Sequence, residues 1–189
     1  MCEQKQTPPV KVEVKNLTKK FGDLLVLDNI SFDVYQGDLL CVVGPTGCGK
    51  TTFVRDLSRL LSAKGFRVCV VDTRSEIAAM KNGVPGFDVG ALTSVFDGYP
   101  KAFGMESAVR AFCPDAVVCD EIGNGNDLSA LRFLFARGVP FVVTLHCADA
   151  CEMMKNAVLR ELIGEKLVET VVFLDSSPCP THIKEVLTL

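Results

Sequence analysis

The chain has 189 residues, a formal net charge of −3 and a pI near 5.4, which suits one domain with its own core and gives no basic footprint for a nucleic-acid partner. Apolar residues make up 48 % of it and mean hydropathy is +0.28, yet no apolar run reaches the roughly 18 to 20 residues of a spanning helix, so no transmembrane segment is expected. The start, "MCEQKQTPPVK", lacks the apolar core of a secretory signal; the nine cysteines, several inside apolar runs, are expected to be reduced thiols of a cytoplasmic protein.

Residues 1–9 read as a disordered tail ending in Pro8 and Pro9. "VKVEVKNL", residues 10–17, alternates apolar and polar positions as a half-exposed strand does, and "ISFDVY" is a second such strand. Gly37 and Asp38 turn the chain into "LLCVV", after which strand and helix patterns alternate to the end. Helices are predicted over 50–63, 105–112, 127–137 and 148–163, and strands near 66–72, 116–120, 140–145 and 170–175, with "HIKEVLTL" as a terminal strand. "DTRSEIAAMKNGVPGFDVG", residues 72–90, is polar enough to be a loop, and it carries Asp72, Arg74 and Glu76 directly after a strand. Short apolar runs such as "VCVV" and "FVVTL" suit strands buried on both faces of a parallel sheet. The pattern predicts an α/β fold, a mainly parallel sheet flanked by helices, behind a small N-terminal antiparallel β lobe.

Gly44, Gly49, Lys50 and Thr51 fit G-x-x-x-x-G-K-[ST], the Walker A pattern, between an apolar strand and an amphipathic helix. Such a loop, here Gly44, Pro45, Thr46, Gly47, Cys48, Gly49, Lys50, Thr51 and Thr52, turns backbone N–H groups and a helix N-terminus toward phosphate oxygens. Lys50 would reach the β and γ phosphates of ATP, and the Thr51 hydroxyl would hold Mg²⁺. "DAVVCDEIG" ends an apolar strand in Asp120 and Glu121 at the Walker B position; Asp120 would orient the water shell of the magnesium and Glu121 would polarise the attacking water. "PFVVTLHCADA" ends its strand in Thr144 and His146. With that strand between the phosphate-loop strand and the Asp120 strand, His146 would face the γ-phosphate and sense its loss. Cys147, Cys151, Cys179 and His182 lack the paired close spacing of a structural zinc ribbon, so zinc is not expected.

Two families are similar to different stretches of the chain. Residues 12–52, "VEVKNLTKKFGDLLVLDNISFDVYQGDLLCVVGPTGCGKTT", resemble the start of an ATP-binding-cassette domain, and the resemblance implies that Phe21 stacks on adenine. It ends after Thr52: only 70 residues separate Lys50 from Asp120, and no L-S-G-G-Q signature occurs. From Gly44 to about Asp175, "GPTGCGKTTFVRDLSRLL", "VVDTRSEIAAMKNGVPGFDVG", "SVFDGYPKAFGM", "AVRAFCPDAVVCDEIG" and "LRELI" resemble the stage III sporulation protein AA family, similar in its core to type II secretion and type IV pilus ATPases. The resemblance implies a single P-loop NTPase domain over 10–189, with its β lobe at 10–38 and its nucleotide-binding core at 39–189. It also implies a homo-oligomer, such as a ring, acting on a membrane-associated partner during sporulation, and it supports Asp72, Arg74 and Glu76 beside the nucleotide. The sequence departs from the family in its short N-terminal lobe and in Asn124, where an arginine often follows "DEIG".

The expected activity is Mg²⁺-dependent ATP hydrolysis, with Glu121, His146 and Lys50 catalytic, Thr51 and Asp120 at the metal, and Arg74, Arg110 or Arg137 offered to a neighbouring subunit. The alternatives are a nucleotide-gated interaction protein with little turnover and a divergent cassette subunit.

Overall fold

Apolar runs with no polar alternation become strands covered on both sides, and alternate residues of one strand then serve two cores. The computed structural model describes residues 10–21, 24–35, 39–123, 125–175 and 182–189. In strand β3 (Leu39–Gly44), Leu40 and Val42 join the core on one face of the sheet, while Leu39, Cys41 and Val43 join the core on the other. Strands β4 (Val68–Asp72), β6 (Ala116–Glu121), β7 (Phe141–His146) and β8 (Val168–Asp175) divide their side chains in the same way.

The strands form a seven-stranded sheet in the order β5-β4-β6-β7-β3-β8-β9, where β5 is Thr93–Asp97 and β9 is His182–Thr188. All neighbours are parallel except the antiparallel β8–β9 pair. Helix α1 (Lys50–Ala63) covers one face with Phe53, Val54, Leu57 and Leu61, helped by Ile77, Ala78 and Val89 of the segment between β4 and β5. Helices α2 (Lys101–Phe112), α3 (Gly125–Ala136) and α5 (Ala157–Gly164), with the short α4 (Ala150–Met153), cover the other. Before the sheet, β1 (Val10–Phe21) and β2 (Leu24–Tyr35) make a two-stranded antiparallel hairpin. The predicted α/β class, mainly parallel sheet and N-terminal β lobe are all present. β7 lies between β3 and β6, which was the condition for His146 to face the site. Among the described residues no helix is long and apolar enough to cross a membrane. The tail at 1–9 and the turn at Gly37 and Asp38 lie outside the described residues.

Three local expectations differ from the structure. Strand β5 was not predicted: "TSVFD" is a short edge strand, only half-buried along most of its length, and it lacks the continuous apolar run of the central strands. Helix α2 begins at Lys101 instead of 105, because Pro100 takes the N-cap position with φ −54° and no side-chain cap marks the start. The helix expected over 148–163 is two helices. Asp149 accepts the N–H of Glu152 at 2.8 Å and Asn156 accepts that of Leu159 at 3.1 Å, so each short helix has its own N-cap and the chain breaks between them.

Candidate functional site

The first wall of the site follows from backbone conformation. Strand β3 delivers Gly44 into a crowded corner where a Cβ would stand 2.7 Å from the Leu174 carbonyl oxygen and 2.5 Å from Cys48 Sγ. Gly49 caps α1 in the left-handed region at φ 93° and offers no side chain to the helix N-terminus. The positive end of the helix dipole therefore faces the loop. Lys50 Nζ donates to the carbonyls of Gly44 at 2.7 Å and Pro45 at 3.0 Å, so the ammonium is folded over the loop mouth. Thr46 and Gly47 are exposed; Cys48 is buried, and burial pushes its thiol pKa up against the opposing charge of Lys50.

The second wall is built by side chains. At the end of β6 the pairing with β7 slips: Cys119 sits opposite Val143, but Glu121, not Asp120, sits opposite Thr144. An extra residue in one strand re-aims the side chains around it. Asp120 takes the Thr73 N–H on Oδ2 at 3.0 Å and the Lys101 ammonium on Oδ1 at 2.9 Å. Lys101 also donates to the main-chain carbonyl of Glu121. Glu121 is exposed, with a guanidinium nitrogen of Arg74 4.0 Å from its carboxylate.

Residues 73–92 take the place of a crossover helix, and two residues outside the segment, one just before it and one in α1, hold it in shape. Asp72 is fully buried, and its carboxylate accepts the N–H groups of Glu76, Ile77 and Ala78 at 2.9, 3.0 and 2.9 Å. Arg55 of α1 donates to the carbonyls of Ile77 at 2.5 Å and Glu76 at 2.6 Å, and its guanidinium lies 3.9 Å from the centroid of the Phe87 ring. Gly90, at φ +97°, lies so close to α1 that a Cβ would come within 2.3 Å of Ser62 Cβ. The segment is thus tied to α1, and it carries Arg74 and Glu76 to the site. The expectation that Asp72, Arg74 and Glu76 all lie beside the nucleotide divides here, because Arg74 and Glu76 line the cavity and Asp72 does not. Asp72 is spent on its own loop, because a buried carboxylate needs partners and the loop amides supply them.

One cavity joins the walls. Lys50, Thr51 and Val54 of α1 line it with Arg74, Glu76 and Ile77 of the loop, Asp120 and Glu121 of β6, and Thr144 of β7. Lys50, Thr51, Asp120 and Glu121 are therefore brought together, although Lys50 and Asp120 are far apart in the chain. His146 is exposed at the end of β7, paired in register with Gly44; the cavity lining from that strand is Thr144, which is 4 % exposed. Arg74 faces Glu121 of its own chain, while Arg110 pairs with Glu106 and, like Arg137, lies over the Phe133 ring. The Phe21 side chain, Asn124, Cys179 and the His182 side chain lie outside what is described. Among the described residues no three His, Cys, Asp or Glu side chains are grouped to hold a metal. A cation here would draw part of its shell from phosphate oxygens, as magnesium does in such sites.

Lys101 and Arg55 escaped the sequence reading, and Thr144 was noted only as the end of a strand. Their spacing carries no motif; only the tertiary fold brings them to Asp120, to the loop and to Glu121.

A family model described as "Sporulation stage III, protein AA" matches residues 24–188. Stage III sporulation protein AA of Bacillus subtilis is 32 % identical over 160 residues, covering 81 % of this chain and 52 % of that protein. The chain spans about half or less of the length of the curated relatives it matches. Among solved structures, the Legionella pneumophila ATPase DotB is similar with TM-score 0.53 and 19 % identity, covering 74 % of this chain and 41 % of that one. A nucleotide-free ATP-binding cassette from an ABC transporter is similar with TM-score 0.58 and 13 % identity, covering 93 % and 90 %. At these identities the two structures share the P-loop ATPase-like fold with this chain. The cassette likeness, expected to end after Thr52, spans most of the chain in three dimensions.

Proposed function

The chain belongs to the sporulation stage III protein AA family, and from that membership and its cavity we propose that it binds ATP and hydrolyses it. The observation that carries this reading is the single cavity in which Lys50 and Thr51 meet Asp120 and Glu121. The loop amides would receive the triphosphate, and Lys50 would exchange the carbonyls of Gly44 and Pro45 for β and γ oxygens. Thr51 and Asp120 would hold Mg²⁺, which when bound supplies charge neutralisation at the phosphate oxygens. Glu121 would take a proton from water as its oxygen bonds to the γ-phosphorus and the bridging oxygen leaves with ADP. Arg74 would add positive charge in cis, and His146, beside Gly44 at the end of β7, would respond to loss of the γ-phosphate.

Steady-state phosphate release tests this directly. Glu121→Gln should lower turnover by roughly 10² or more while calorimetry still detects ATP binding. Turnover unaffected by Glu121→Gln would remove the hydrolytic role. A second reading, binding with little turnover that gates an interaction, is favoured by the ion pair that already occupies Asp120. Wild-type protein that binds ATP without releasing phosphate would establish it. Assembly into a homo-oligomer and action on a membrane-associated partner during sporulation belong to the same proposal, supported by family membership. Specific activity that does not change with protein concentration would count against the oligomer.

A further inference from the structure

Lys101 occupies an unusual place for a lysine. It is the first residue of α2, where the positive end of the helix dipole opposes its charge, and its side chain is only 14 % exposed. Its position is tightly set. Pro100 precedes it, and Gly104, one turn on, brings the helix so near β4 that a Cβ would stand 2.8 Å from Val71 Cγ1. The partner that offsets these costs is Asp120, 12 % exposed and 2.9 Å away, whose other oxygen is taken by the Thr73 N–H. Lys101 also grips the Glu121 main-chain carbonyl. A lysine that breaks a local helix rule, and is compensated by a carboxylate and a main-chain carbonyl of the candidate site, has been placed for that site.

We propose that Lys101 is a positioning residue whose ammonium offsets the charge of Asp120 and ties the Glu121 main chain to α2, weakening divalent-cation binding while keeping Glu121 aimed. This rests on the ATP-hydrolysing reading of the same cavity. Removing the ammonium leaves Asp120 an uncompensated, mostly buried carboxylate, which attracts a divalent cation more strongly. The same change frees the end of β6 and loosens Glu121. Metal affinity therefore rises while the rate falls, a combination that a purely structural lysine would not produce.

The test uses the full chain, with Mn²⁺ as the probe of the divalent site, titrated by electron paramagnetic resonance in the presence of the β,γ-imido analogue of ATP. Phosphate release with Mg²⁺ is measured in parallel. Lys101→Gln should bind Mn²⁺ about tenfold more tightly and turn over about tenfold more slowly at saturating metal, whereas Lys101→Arg should keep the wild-type metal affinity and recover most of the rate. If Lys101→Gln is too unstable to titrate, Lys101→Met, which keeps the apolar stem, takes its place with the same expectation. Mn²⁺ affinity unchanged or weakened in the uncharged variant would overturn the inference while leaving hydrolysis standing. Tightened Mn²⁺ binding without any wild-type turnover would support it and remove the hydrolytic reading. Wild-type protein that binds no Mn²⁺ with the analogue would overturn both.

Discussion

Between β3 and α1 the wall of the site is a short turn, residues 45–49, shaped by glycines in and beside it, whereas between β4 and β5 it is a longer segment, residues 73–92, held by side chains that lie outside it. The turn needs Gly44 for close approach to Leu174 and Gly49 for a left-handed conformation, so each requirement is met at the position where it arises. The segment instead depends on Asp72 before it and on Arg55 in a different helix. A wall of the first kind keeps its shape through local conformation. A wall of the second kind loses its shape when one distant anchor is removed, so the two should respond differently to substitution.

The largest expected effect is at Asp72. Asp72→Ala strands three loop amides and opens a hole in the core, so we expect a loss of about 3 kcal/mol in stability, read from the urea midpoint. A loss under about 0.5 kcal/mol, within the range of ordinary surface substitutions, would mean that the segment holds itself. Arg55→Met comes next. It keeps the stem against Phe87 but removes both bonds to the Glu76 and Ile77 carbonyls, for an expected cost of about 2 kcal/mol and faster amide exchange within residues 76–78. If the added exchange spread evenly over the chain, the anchor would be a global one and the comparison would fail.

On the other wall, Lys50→Ala should leave the urea midpoint nearly unchanged, because the loop is shaped by glycines, but should weaken ATP binding tenfold or more, about 1.4 kcal/mol. A destabilised variant with undiminished ATP affinity would reverse the contrast between the walls.

The smallest effect at neutral pH concerns the central strands that carry both walls. Burial raises the Cys69 thiol from an ordinary 9.0 to about 11 and pushes Cys41 and Cys119 higher still. A pKa raised in the folded state contributes stability that is complete below the unfolded value and is lost as pH rises toward the folded one. Stability in reducing buffer should therefore be insensitive to these thiols below about pH 8 and fall in alkali, with a shallower fall in Cys41→Ala. Identical alkaline slopes for wild type and Cys41→Ala would show that this thiol does not contribute.

Much of this was legible in the chain. Apolar runs bounded by turns gave away the buried strands, and the glycine spacing before Lys50 located the loop between β3 and α1, because both signals are local and repeat a backbone requirement at the residue that meets it. Strand β5 was illegible because an edge strand is half-solvated and its composition is mixed. The break at Asn156 was missed because a cap residue inside an amphipathic pattern looks like one more polar position until its side chain is seen accepting the Leu159 N–H. The pairing of Lys101 with Asp120 has no local trace at all.

The sequence by itself determined that a mainly parallel sheet would form, that a glycine-rich loop would join the end of one strand to a helix, and that Asp120 and Glu121 would end another strand. Each of these depends on interactions within a few residues or on the period of apolar positions. Only the tertiary structure decided that Asp72 would be consumed by its own loop, that Arg74 would stand over Glu121 of the same chain, and that Lys101 would neutralise Asp120. The last two outcomes are choices among oppositely charged partners, selected at long range by which backbone segments the packed core brings within reach, whereas Asp72 is held by neutral loop amides four to six residues on.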